Sequence, residues 1–176
     1  GIFIDIGPVA SLKDEKAKLV FLKDPNRGTI YDGPMIVLTN GASASASEFL
    51  SAALQDYNRA LIVGGTTYGK GTAQDVLPLD TNNNPTQKKY DDYVKLTIGK
   101  FYRVNGSTVQ WKGVEPDIEL PDLYRTELFK EKGQPTALAP DMAKPGYYQP
   151  AAALPIEMLK QKAEARIKED AYFKLV

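Results

Sequence analysis

Two short apolar runs on either side of one amphipathic segment constrain the fold more than any other feature of the sequence. Residues 35–38 and 60–63 are continuously apolar, which is typical of strands in a parallel sheet that is buried on both faces. Between them, residues 46–55 repeat apolar side chains at spacings of three to five, as one face of a helix does. The order strand, turn, helix and strand predicts a βαβ unit and an α/β fold.

Shorter signals predict the other elements. Asn105-Gly106 is a favourable hairpin turn. Six of the 12 prolines follow residue 120, and they predict an extended tail that wraps or docks instead of forming a catalytic unit. Strands are expected at residues 1–10 (closed by Gly7-Pro8), 19–22, 76–79, 93–104 and 108–111, with a polar turn at 81–85 and a helix from Pro155 onward.

Composition narrows the chemistry that is open to this chain. Its 176 residues include no His and no Cys, which excludes an imidazole base, a thiolate nucleophile and a disulfide framework. Hydrolytic chemistry must therefore use Ser, Thr, Lys, Asp, Glu or Tyr. The 22 basic and 22 acidic residues give a net charge of zero, so nucleic acid is not an expected partner. No apolar run approaches the roughly 20 residues that span a bilayer, and we expect no direct membrane insertion.

Residues 64–71 form a glycine-rich loop after the second apolar run. Gly64 and Gly69-Lys70 stand in register with a phosphate-binding P-loop, but Gly71 occupies the position of the Ser or Thr whose hydroxyl ligates magnesium. A P-loop also opens a helix, whereas residues 72–78 look extended. Nucleotide binding is therefore a distant alternative, and we expect no cofactor and no metal.

The Ser/Ala run at residues 42–48 joins the first apolar run to the helix and has two interpretations. Ser45 and Glu48 have the spacing of a capping box. Alternatively, a Ser at a strand-to-helix turn can present its hydroxyl as a nucleophile, while the helix N-terminus offers free N–H groups to an oxyanion. Spacing alone does not choose among Ser43, Ser45 and Ser47.

The Ser/Ala run and the glycine-rich loop follow neighbouring strands of the predicted βαβ unit. The carboxyl ends of parallel neighbours meet at one edge of a sheet, where α/β proteins place their active sites. Gly69 and Gly71 would allow Lys70 to be aimed inward, and burial favours the neutral amine that can accept a proton. A Ser-Lys dyad is one of the few hydrolytic arrangements that remain without histidine.

Several motifs in one order resemble the C-terminal processing (tail-specific) serine peptidases of the S41 type. They are Asn-Gly-Ala-Ser-Ala-Ser-Ala-Ser-Glu at 40–48, Gln-Asp-Tyr-Asn-Arg-Ala at 55–60, Tyr-Gly-Lys-Gly-Thr-Ala-Gln at 68–74, Lys-Phe-Tyr-Arg-Val-Asn-Gly at 100–106 and Lys-Gly-Val-Glu-Pro-Asp-Ile at 112–118, after Ile2-Phe3-Ile4 and Gly7-Pro8. The similarity extends from Gly1 to about Leu120 and is weaker in the tail. The resemblance implies four roles: Ser45 as nucleophile, Lys70 as general base, Gln74 as the group that orients the lysine, and the Ala46 N–H as an oxyanion donor.

Two acidic residues near these positions are kept outside the catalytic set. Eleven helical residues place Asp56 about 16 Å along the helix axis from Ser45, so we interpret it as a helix-end or interface group. Glu48 lies one turn from the nucleophile, and its spacing favours a cap over an acid.

The resemblance also implies the architecture and activity. The fold is expected to be of the crotonase/ClpP-like type with stacked ββα units. Residues 1–120 would form part of the peptidase domain, and residues 121–176 a Pro-rich extension with a C-terminal helix. The implied function is a serine endopeptidase that binds extended C-terminal tails of protein substrates in the bacterial periplasm or cell envelope, with a homo-oligomer or an adaptor as a further partner. The alternative is a non-catalytic relative that binds peptides or small apolar ligands.

The sequence opens on Gly-Ile-Phe-Ile-Asp, which resembles the middle of a domain. Family members carry further upstream a Gly-rich stretch that supplies a second oxyanion donor, and a PDZ domain that engages substrate tails. Neither lies in these 176 residues. We therefore expect the chain to be part of a peptidase domain, with little or no activity by itself.

Overall fold

The computed structural model describes residues 1–79 and 92–173 of the chain. These residues form two sheets, one helix that contacts both of them, and a long irregular tail that ends in a second helix. The elements are β1 (Gly7–Asp14), β2 (Leu19–Asp24), β3 (Ile36–Thr39), α1 (Ala46–Asp56), β4 (Leu61–Gly64), β5 (Thr72–Pro78), β6 (Tyr93–Tyr102), β7 (Ile118–Glu119) and α2 (Ile156–Glu169), with short 3-10 helices at Glu127–Phe129 and Glu131–Gly133.

The smaller sheet contains the predicted βαβ unit. Its strand order is β3-β4-β7 and all pairings are parallel, which confirms the α/β prediction and places the ends of β3 and β4 at one edge. The expected burial of the first apolar run is wrong in part. Ile36 and Leu38 are 63% and 75% exposed, because β3 is an edge strand and only one of its faces packs on the core.

The larger sheet is antiparallel, with the order β2-β1-β6-β5. The predicted strand at residues 1–10 is misplaced, because Gly7-Pro8 begins β1 instead of closing a strand. The Asp14 carboxylate accepts the N–H groups of Lys16 and Lys18, and this side-chain turn sets the end of β1 and its pairing with β2. The strand at 19–22 is confirmed as β2.

The Asn105-Gly106 turn forms, with the Gly106 N–H donating to the Arg103 carbonyl at 2.9 Å. The second strand predicted after it, at residues 108–111, is absent. Within it the Gln110 side chain accepts a hydrogen bond from the Gly71 N–H, while β6 finds its partners in β1 and β5. The strand predicted at 76–79 begins earlier, as β5, and the turn predicted at 81–85 lies outside the described residues.

Helix α1 joins the two sheets. Phe49 on α1 packs against Phe101 of β6 in a tilted arrangement with ring centroids 4.4 Å apart, and the Tyr57 hydroxyl donates to the Pro8 carbonyl in β1 at 2.8 Å. The helix also packs on β4. The core between these elements consists of Ala52, Leu54, Ala60, Ile62, Val109 and Val114.

The predicted C-terminal helix is confirmed as α2, which begins directly after Pro155. Its apolar residues at helical spacing, such as Leu159 and Ile167, remain half-exposed, and α2 has no buried residue. Within the described ranges, neither helix is both long and apolar enough to cross a membrane.

We predict that Leu54→Ala lowers the free energy of unfolding by about 2–5 kcal/mol, because it opens a cavity between α1 and the parallel sheet. Leu54 is 1% exposed, whereas Leu123 in the tail is 89% exposed. The matched variant Leu123→Ala should change stability by less than about 0.5 kcal/mol. Urea denaturation of both variants provides the measurement, and equal losses would contradict the core described above.

Candidate active site

The candidate nucleophile lies at the turn between β3 and α1. Ser45 immediately precedes the helix and has φ 56° and ψ −113°, a left-handed conformation that non-glycine residues rarely adopt. Such a turn is typical of nucleophile elbows, which expose a serine hydroxyl at the end of a strand. Ala46 is the first helical residue, so its N–H has no acceptor within the helix and can donate to an oxyanion.

The glycine-rich loop lies beside this turn, at the carboxyl end of β4. The Tyr68 N–H donates to the Ser43 carbonyl at 2.9 Å, which ties the loop to the Ser/Ala run. Gly71 is followed by strand β5, so the loop does not open a helix as a P-loop must. The loop therefore does not meet the main geometric requirement of the nucleotide-binding alternative.

Glu48 connects the two segments from inside the protein. Its side chain is fully buried, and one oxygen, Oε2, accepts the N–H groups of both Ser45 and Lys70 at 2.8 Å. The two backbone nitrogens therefore cannot be farther apart than twice that distance. The other oxygen, Oε1, accepts the Gly69 N–H at 2.7 Å and the Thr67 hydroxyl at 2.5 Å.

The predicted capping role of Glu48 is therefore only part of its function in the structure. The bond to the Ser45 N–H is the one that a capping box provides. The other three bonds hold the loop that carries Lys70. The Thr67 hydroxyl, which donates to Glu48, also accepts the Val114 N–H at 2.7 Å.

The Lys70 amine forms a hydrogen bond with Gln74, the residue that the family resemblance pairs with it. Lys70 Nζ donates to Gln74 Oε1 at 3.0 Å, and the lysine is half-buried. A register shift in the pairing of β5 with β6 falls between Ala73 and Gln74. Such bulges turn a side chain away from the regular alternation of a strand.

Asp56 binds at the far end of α1 and not at the Ser45 turn. Its carboxylate forms a two-bond ion pair with the Arg103 guanidinium at 2.7 and 3.0 Å, and it accepts the Asn105 side-chain amide at 3.1 Å. This arrangement agrees with the interpretation of Asp56 as a helix-end group.

Three polar residues at the back of the site were not found by sequence reasoning. Thr67 bridges Glu48 to Val114, Gln110 binds the Gly71 N–H, and Lys130 donates from its amine to the Thr66 and Thr67 carbonyls. Burial lowers the pKa of the Lys130 ammonium, an effect that the carboxylates of Asp122 and Glu48 oppose. Lys130 is more than 60 positions from its partners, so no local pattern could have revealed it.

The arrangement has several of the parts that acyl transfer needs. A partly exposed serine stands at a strand-to-helix turn, the helix N-terminus offers an N–H without an intrahelical acceptor, and an amine that donates to Gln74 lies on the neighbouring loop.

Comparison with known proteins identifies what the chain is similar to. The model of the family described as "Peptidase family S41" matches residues 1–120. A tail-specific protease from Haemophilus influenzae is 35% identical over 178 aligned positions, which cover 98% of this chain and 26% of that protein. A carboxy-terminal-processing protease from Bartonella bacilliformis is 37% identical over 70% of this chain and 27% of that protein. The chain thus spans about a quarter of the length of these curated relatives.

Solved structures show the same likeness. A photosystem II D1 C-terminal processing protease superposes with a TM-score of 0.57 and 28% identity, over 72% of this chain and 30% of that one. A lipoprotein from Streptococcus agalactiae superposes with a TM-score of 0.51 at 18% identity, over 64% of this chain and 40% of that one, and it shows a likeness of fold alone. Both likenesses support the α/β fold.

We predict that Glu48→Gln lowers the free energy of unfolding by roughly 2–4 kcal/mol. A glutamine keeps one acceptor oxygen but turns an NH₂ group toward donors that the carboxylate now satisfies. The matched variant Glu127→Gln, whose parent side chain is 73% exposed, should be neutral within about 0.5 kcal/mol. Urea denaturation checks both, and a stability of Glu48→Gln equal to the wild type would refute the role assigned to this carboxylate.

Proposed function

The chain belongs to peptidase family S41, and from this membership we propose that the whole protein is a serine endopeptidase that cleaves protein substrates near their C-termini. One observation supports the proposal more than any other. The Ser45 and Lys70 backbone N–H groups share a single oxygen of Glu48, so one buried group holds the backbones of the two residues of the proposed dyad close together.

In the proposed mechanism, Ser45 Oγ attacks the scissile carbonyl and the neutral Lys70 amine accepts the hydroxyl proton. The Ala46 N–H donates to the oxyanion that forms on the former carbonyl oxygen. Lys70 then gives its proton to the leaving amine, which departs and leaves an acyl group on Ser45. Lys70 next takes a proton from a water molecule, which attacks the ester carbon. The bond from the acyl group to Ser45 Oγ breaks, Lys70 returns the proton to Oγ, and the enzyme is back in its starting state. Gln74 keeps the amine aligned through the bond to its Oε1.

The substrate side of the proposal follows from the family. Extended C-terminal tails would bind beside the site, with a second oxyanion donor and a tail-sensing PDZ domain supplied by segments outside these 176 residues. A bacterial cell-envelope location, together with an oligomer or adaptor, completes the proposal. The bacterial sources of the two curated relatives support the location.

We predict that Ser45→Ala lowers kcat/KM at least about 10³-fold in the full-length protein, because it removes the nucleophile. Ser47→Ala is the matched control, since Ser47 is exposed on the first turn of α1, and it should stay within about threefold of the wild type. Turnover of a fluorogenic peptide with an apolar C-terminal tail provides the measurement.

An outcome in which the wild type binds the tail peptide but does not cleave it would favour the non-catalytic alternative. If only Ser47→Ala lost turnover, Ser47 and not Ser45 would be the nucleophile.

We predict that Gln74→Ala lowers kcat by about 10- to 100-fold, because a lysine without its acceptor spends less time aligned with the serine. KM should change by less than about threefold, since Gln74 binds the base and not the substrate. Gln161→Ala on the exposed side of α2 is the control and should keep wild-type kinetics. If Gln74→Ala and Gln161→Ala turn over substrate equally, Gln74 does not orient Lys70.

A further inference from the structure

Part of the C-terminal tail packs against the Lys70 loop and binds its carbonyls. We call residues 122–138 the tail strap; they follow the part of the chain that the family model matches. Lys130 lies within it and is only 9% exposed. Its amine donates to the Thr66 carbonyl and, at 3.1 Å, to the Thr67 carbonyl.

Other bonds of the strap reach the same loop. The Glu131 N–H donates to the Tyr68 carbonyl at 3.1 Å. The buried Gln110 side chain accepts the Gly71 N–H at 2.8 Å and donates to the Leu138 carbonyl at 2.8 Å, so it links the end of the loop to the end of the strap.

The loop is therefore held from two sides by different parts of the chain. Its N–H groups at Tyr68, Gly69 and Lys70 are bound by Ser43 and Glu48. Its three consecutive carbonyls at residues 66–68 are bound by Lys130 and Glu131 of the strap. Leaving a buried carbonyl without a donor lowers the stability of the conformation that buries it. The position of the loop therefore depends on the strap as well as on Glu48.

Two glycines at the edge of the parallel sheet leave room for the strap. A Cβ at Gly41 would lie 2.8 Å from Lys130 Nζ and 2.7 Å from Tyr124 Cβ, and a Cβ at Gly65 would lie 2.7 Å from the Asp122 carboxyl carbon. Asp122 also accepts the Gly41 N–H at 2.6 Å. The strap is thus fitted to both segments of the site, next to the Ser/Ala run and next to the Lys70 loop.

We propose that the tail strap belongs to the scaffold of the active site and that Lys130 is a positioning residue, which fixes the Thr66 and Thr67 carbonyls and thereby the direction of Lys70. The proposal rests on the function proposed above. Lys130 forms no hydrogen bond with Ser45 or Lys70 within the described ranges of the chain, and it acts through the loop, whose carbonyls its amine binds. Because it holds the loop from behind, its loss should affect the chemical step more than substrate binding.

The first experiment measures the loop without reference to activity. Hydrogen exchange in the full-length protein should be about tenfold faster for the segment containing Gly69 and Lys70 in Lys130→Met, which keeps the aliphatic stem and removes the donors. The matched control is Lys132→Met, because Lys132 is half-exposed and, among the residues that the structure describes, pairs with Glu127 alone, at 2.8 Å; exchange in this control should equal the wild type. Lys130→Gln, which keeps an NH₂ donor group on a shorter stem, should be intermediate and serves if Lys130→Met does not fold.

The second experiment measures the tail-peptide kinetics of the same variants. We expect kcat to fall about tenfold in Lys130→Met while KM stays within about twofold and Lys132→Met is unchanged. Exchange and kcat equal to those of Lys132→Met would overturn the inference, as would faster exchange with an unchanged kcat. A wild type without Ser45-dependent turnover would overturn the proposed function instead, and the exchange data would still decide whether Lys130 holds the loop.

Discussion

The buried carboxylate of Glu48 is the interaction on which the rest of the site depends. Removing a carboxylate from water is unfavourable unless its oxygens find donors, and here three backbone N–H groups and one hydroxyl provide them. These donors come from the turn before α1 and from the loop after β4. If either segment moved away, the buried carboxylate would lose hydrogen-bond donors. This one residue therefore fixes the backbones of Ser45 and Lys70 relative to each other.

The hydrogen bond to Glu48 also helps to explain the left-handed backbone conformation of Ser45. A non-glycine residue in a sparsely populated region costs of the order of 1–3 kcal/mol and persists only where its surroundings determine it. The Ser45 N–H is bound by Glu48 on one side, and α1 begins immediately on the other. The strain is therefore local, and the hydrogen bonds around it support it.

Local patterns predicted the parts of the fold that depend on local physics. The apolar runs and the helical spacing located β3, α1 and β4 within one or two residues, and Pro155 located the start of α2. The strand starting at Gly7 and the irregular segment at 108–111 were mispredicted, because β-sheet partners and the bonds of Gln110 decide them. Within the site, the family motifs pointed to Ser45, Lys70 and Gln74, whereas the contacts of Thr67 and Lys130 arise only when distant segments meet.

A boundary drawn by sequence similarity need not coincide with one drawn by hydrogen bonding. The family model ends at residue 120, yet three consecutive carbonyls of the Lys70 loop, at residues 66–68, are satisfied by residues beyond it. Motifs near reacting atoms are restricted to few residue types, whereas a carbonyl can be satisfied by any donor that reaches it, including an amine or a backbone N–H. The supporting side of an active site can therefore be provided by a segment that carries no motif, and it is recognised by following the acceptors of the catalytic loop to their donors.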